Sequence, residues 1–192
     1  MYETIKQTLK NLTLAAMFLA AGLVLPFVTG QIPQIGSMLL PMHLPVLMCG
    51  LVCGWKYGLV VGFILPLMRS VLFGMPPMFP TAVAMAFELA SYGGLAGFFY
   101  GRSKWKCVIA LYRALLAAMI GGRLVWGGGM VVLTGMSGSG FTWAMFLSGA
   151  FLNAIPGIIL QLIFIPTMMI ALDRTGLVRF HRKKHHTVAD RG

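Results

Sequence analysis

Residues 69–88 read RSVLFGMPPMFPTAVAMAFE. Arg69 stands near the end of one apolar run, a bend rich in Gly and Pro follows, and Glu88 stands about two turns into the next apolar run. A charge inside a membrane span costs about 2.5–3.5 kcal/mol on insertion scales. One tight bend that brings two opposite charges to similar depth reads as two membrane helices sharing a polar site.

The rest of the chain fits that reading. It has 192 residues, 58% hydrophobic and 10% charged, where a soluble domain carries roughly a quarter charged residues. At about 20 residues per span, the expectation is one all-α domain, an integral membrane bundle of six transmembrane helices. They fall at about 12–28, 40–54, 58–73, 81–100, 107–133 and 141–172, with a basic tail over 173–192. Gly and Pro punctuate the links, and Pro41 and Pro45 suit a first turn or a kink. Lys6 and Lys10 ahead of an apolar run imitate a signal peptide, but no small-x-small cleavage region follows, so this run reads as an uncleaved first helix.

The net charge of +11 is a matter of topology and not of nucleic acid. Lys and Arg occur at the N-terminus, in the second and fourth links and in the tail, while the first, third and fifth links have none. The positive-inside rule then places both termini in the cytoplasm. The tail segment FHRKKHH reads as a solvated cytoplasmic end helped by lipid headgroups. Cys49, Cys53 and Cys107 read as small packing residues, with neither a metal-ligand cluster nor a disulfide framework.

Small residues recur four apart at Ala16 and Ala20, at Gly54, Gly58 and Gly62, and at Gly93, Gly97 and Gly101. Such faces let helix backbones approach closely in lipid. They serve either internal packing or docking to another membrane subunit.

Few strongly polar residues remain inside the spans. Arg69, Glu88, Arg123 and Asn153 all fall in the outer half or near the midplane, counted at 1.5 Å per residue. Trp126 is one turn from Arg123, Tyr92 one turn from Glu88, His43 lies near the outer end of the second helix, and Gln31 and Gln34 lie on the first outer loop. Glu88 pairs with Arg69 or Arg123. Two arginines against one carboxylate leave a surplus positive charge, which an anionic ligand would relieve. Arg113 is near the cytoplasmic end and can snorkel. No HExxH, GxSxG, Walker motif or paired carboxylates speak for an enzyme.

Three stretches carry a family resemblance: LAAMFLAAG at 14–22, GSMLLPMHLPVLMCGLVCGWKYG at 36–58 and LMRSVLFGMPPMFPTAVAMAFELASYG at 67–93. With them the chain resembles the substrate-binding S component of energy-coupling factor (ECF) transporters for vitamins. The resemblance implies a multi-pass protein of the bacterial cell membrane that binds a small metabolite near the outer face. Ala16 and Ala20 match the family's Ala-x-x-x-Ala motif, which packs on a transmembrane coupling subunit joined to two cytoplasmic ATPases. ATP turnover there is thought to topple the loaded component. The chain itself needs no cofactor. The resemblance points to pantothenate, hydroxymethylpyrimidine, pyridoxine-like compounds or queuosine precursors, and the positive surplus favours pantothenate. The substrate-binding residues expected are Arg69, Glu88, Arg123, Asn153, Trp126, Tyr92, His43 and Gln34. The competing expectations are a membrane scaffold without a small ligand, and a solitary secondary carrier using Glu88 as its ion site.

Overall fold

The structure, a computed structural model, describes residues 2–28, 40–103, 107–136, 142 and 154–174. Six α-helices make up the described part: α1 (Tyr2–Val28), α2 (His43–Cys53), α3 (Trp55–Phe73), α4 (Val83–Arg102), α5 (Val108–Met136) and α6 (Ile155–Arg174). All but α2 belong to segments long and apolar enough to cross a membrane.

α2 departs from the expected six full spans. Its 11 residues rise only about 16 Å, roughly half of a hydrocarbon core of about 30 Å. Leu40–Met42 form a turn in front of it, with Leu40 at φ 50°. Gly54, at φ 100°, ends it and starts α3 at once. The residues expected to link the two, Trp55–Tyr57, are therefore the first turn of α3. Ten of the 11 residues of α2 are buried, as fits a helix that is apolar all round.

α1 begins ten residues before the expected limit. Its first three turns are polar but helical, with Gln7 donating to Asn11 and Thr8 to the Thr4 carbonyl. Apolarity marks where a helix meets lipid, not where the helix begins. α3 ends on Gly74 in the left-handed conformation (φ 70°), whose N–H donates to the Ser70 carbonyl at 2.9 Å, as a C-terminal glycine cap does. The bend leads through a wide turn, Met78–Ala82, into α4.

α4 is the centre of the bundle, packed on α2, α3 and α5. Glycine makes this closeness possible. A Cβ at Gly93 would strike the backbone of Gly58, one at Gly62 the backbone of Leu89, and one at Gly97 the backbones of Gly50 and Trp55. These glycines are thus engaged inside the bundle, whereas Gly54 serves the turn and Gly101 faces open space. Proline leaves its own mark on α6. Pro166 has no N–H for the Leu162 carbonyl, and the Tyr112 hydroxyl of α5 donates to that carbonyl instead, at 3.1 Å. The bond ties α6 to α5.

Candidate functional site

Three helices bring ionisable groups together in the middle of the bundle. Glu88 of α4 and Arg123 of α5 form an ion pair, Nη1 to Oε1 2.9 Å. His43, the first residue of α2, places Nε2 3.4 Å from the same oxygen. Glu88 and His43 are each 1% exposed and Arg123 is 4% exposed. The half-length of α2 explains the meeting. A full span would carry His43 to the end of the bundle, but the short helix starts level with Glu88. Arg123 is residue 16 of the 29 in α5, so the cluster lies at mid-height.

Tyr92 completes the group from one turn along α4. Its ring meets His43 edge to face, centroids 4.9 Å apart at 89°, a favourable aromatic geometry. The ring lies over Gly122, where a Cβ would collide with it. Its hydroxyl sits beside Arg123 without a well-aligned hydrogen bond. Trp126, one turn from Arg123 on α5, is half-buried.

The cluster is charged but underbonded. Among the described residues, Arg123 Nε and Nη2, both ring nitrogens of His43, the Tyr92 hydroxyl and Glu88 Oε1 are buried without a well-aligned hydrogen bond. Buried polar atoms are satisfied in the large majority of cases, so the cluster has spare hydrogen-bonding capacity, with Arg123 Nε and Nη2 as donors and His43 and Tyr92 able to donate or accept. The N-terminus of α2, at His43, adds the positive end of a helix dipole beside them.

Arg69 is not part of this cluster. It lies on the face Leu65–Arg69–Phe73 of α3, which turns to α1. A Cβ at Gly22 would meet the Leu65 side chain, Arg69 Nη1 donates to the Leu23 carbonyl at 2.8 Å, and Phe27 and Phe73 meet edge to face at 4.9 Å. The guanidinium also lies over both rings, at 5.2 and 5.5 Å. Its charge has a compensating source. The C-terminal ends of α1 and α3 lie close by, each equivalent to roughly half a negative charge. The expected surplus of two arginines over one carboxylate is therefore absent from the cluster, which holds one self-neutralising pair.

Gln34 and Asn153, and Gln31 with them, lie outside the described residues, as does the basic segment of the tail. Ala16 and Ala20 are exposed on α1, next to the buried Ala15. Among the described residues, the most deeply buried polar side chain that was not anticipated is Gln161 of α6, 0% exposed. Its only signal in the sequence is that it is the sole amide in the run Ile155–Arg174.

Shortened helices that bring polar groups to mid-height are a recurring form of membrane transport site. A profile of the family described as ECF transporter, substrate-specific component, matches residues 10–169. The chain belongs to this family. S components are transport subunits that bind small-molecule substrates and work with membrane and ATPase subunits; they are not enzymes. The match covers all six described helices except the first turns of α1 and the last turn of α6. Neither a curated protein nor a solved structure gave a match to this S component.

Proposed function

We propose that this chain captures a small polar metabolite of the vitamin or nucleobase-precursor type at the His43–Glu88–Arg123–Tyr92 cluster. A separate ATPase-driven coupling module then carries it across a bacterial cell membrane. The observation that carries this reading is the buried ion pair with unpartnered donors beside it. A pair that served only to lock the bundle would gain from having its remaining N–H groups satisfied, because desolvating two charges costs several kcal/mol per ion in a protein interior (order of magnitude). Leaving Arg123 Nε and Nη2 open is costly unless a ligand fills them.

The charge balance guides the choice of substrate. A neutral pair favours a neutral, acceptor-bearing molecule over a carboxylate, which would leave the site with a net negative charge. Within the classes named by the resemblance this favours hydroxymethylpyrimidine, pyridoxine-like compounds and queuosine precursors over pantothenate. The end of the bundle at Phe27 and Phe73 is the outer face in this reading, with both termini in the cytoplasm, because the links at the other end carry the Lys and Arg. Ala16 and Ala20 provide the face for the coupling subunit. Asn153, Gln34 and Trp126 are further proposed substrate-binding residues.

Native mass spectrometry of the protein in detergent, followed by a thermal-shift panel of these metabolites, tests the reading. One compound that raises the melting temperature at micromolar concentration, and no longer does so in Glu88→Gln or Arg123→Gln, is the expected result. A protein that purifies empty and that no compound stabilises would return the cluster to a purely structural role.

A further inference from the structure

Gln161 is fully buried, and among the described residues neither atom of its amide, Nε2 or Oε1, has a hydrogen-bond partner. A primary amide carries two donors and two acceptor sites on one planar edge. Leaving all of them empty in an apolar interior is the least favourable state such a group can adopt. In a membrane span, a polar side chain facing the bundle interior is a functional candidate by default.

Its place in the fold says what the amide faces. The buried face of α6 runs Ala154, Gly157, Gln161, Ile165 and Met169, at helical spacing. Ile165 and Met169 belong to the same packed core as Leu44 of α2 and Tyr92 of α4. Ile158 and Leu162, on either side of Gln161, pack against that core too. The bond from Tyr112 to the Leu162 carbonyl holds α6 to α5 at this level. His43, Glu88 and Arg123 enter the interior from α2, α4 and α5, and Gln161 enters it from α6.

We infer that Gln161 is a substrate-selecting residue, whose amide pairs with an adjacent N–H donor and N or O acceptor on one edge of the ligand, as in an amidine or a lactam. The inference rests on the binding reading above and narrows it. A nucleobase-like heterocycle has such an edge. Pyridoxine does not, because no N–H adjoins its ring nitrogen. Pantothenate does not either, because its trans amide points donor and acceptor in opposite directions.

The test uses the full chain in detergent, with hydroxymethylpyrimidine, deazaguanine, pyridoxine and pantothenate as probes, on the wild type and Gln161→Leu. The wild type should bind one of the first two, and Gln161→Leu should lose about tenfold or more in affinity, as sites built to hydrogen-bond a ligand do when the bond is removed. Ligand-free Gln161→Leu should melt at or above the wild-type temperature, because the variant removes an unsatisfied amide. Binding of a heterocycle that survives Gln161→Leu, or binding of pyridoxine or pantothenate alone, overturns this assignment and leaves the binding reading standing. A ligand-free variant that melts lower than the wild type marks a structural amide and also overturns it. A wild type that none of the four stabilises overturns both readings together.

Discussion

α1 and α4 both carry small residues four apart, and the two faces meet different fates. In α4, Gly93 and Gly97 press against the backbones of α2 and α3. In α1, Ala16 and Ala20 lie on the surface. The most apolar stretch of α1 has 11% of its residues buried, against 50% for the segment containing α4. The same spacing thus occurs in a packed and in an exposed setting, and the methyl group separates the two. Glycine lets two backbones touch permanently, whereas alanine leaves a smooth face on which another helix can sit and leave. α4 is the axle of the bundle, while α1 packs on α2 and α3 and turns its Ala16–Ala20 face to the surface.

The comparison can be broken most severely at the ion pair on α4. Arg123→Ala strands Glu88 in the interior and should cost about 3–5 kcal/mol of stability. The double variant with Glu88→Gln should recover a substantial part, and chemical unfolding in detergent would read both. A recovery of zero would mean that the two side chains are not energetically coupled. Next comes the glycine face. Gly93→Ala should cost about 1–3 kcal/mol through overpacking, while Gly101→Ala, on the same stripe but facing open space, should be neutral. Equal losses at the two positions would remove the packing argument.

Smaller effects test the α1 side. Arg69→Leu should cost about 1.5–3 kcal/mol for a charge-assisted hydrogen bond, yet leave ligand affinity within about twofold, since Arg69 stands outside the cluster. A large loss of affinity would place it back in the site. Ala16→Leu combined with Ala20→Leu should change the stability of the isolated chain by less than about 0.5 kcal/mol, and should reduce co-purification of the transmembrane partner subunit from native membranes. Unchanged co-purification would reassign the contact to another face.

The membrane bundle was legible because apolar runs and their breakers are local properties. The grouping of His43, Glu88, Tyr92 and Arg123 was half legible, because polar residues inside spans gather where they can satisfy one another. What sequence could not resolve was helix rotation. Arg69 and Glu88 flank one bend, which makes them look like partners, but Arg69 shares its helical face with Leu65 and Phe73 and turns with them to α1. The shortness of α2 was hidden for a related reason. The residues before His43 are as apolar as the helix itself, so hydropathy carries no mark of where it starts. Gln161 was passed over because one amide in a long apolar run looks incidental until its neighbours are known.

The pairing of Glu88 with Arg123 has an electrical consequence. Moving one elementary charge across a membrane potential of 100 mV takes about 2.3 kcal/mol. Glu88 and Arg123 sit 2.9 Å apart and move as a dipole with no net charge. If the pair were displaced across the bilayer, that movement would by itself involve almost no electrical work. Any voltage dependence of the proposed transport would then come from other charges, buried Arg69 among them, and not from this pair.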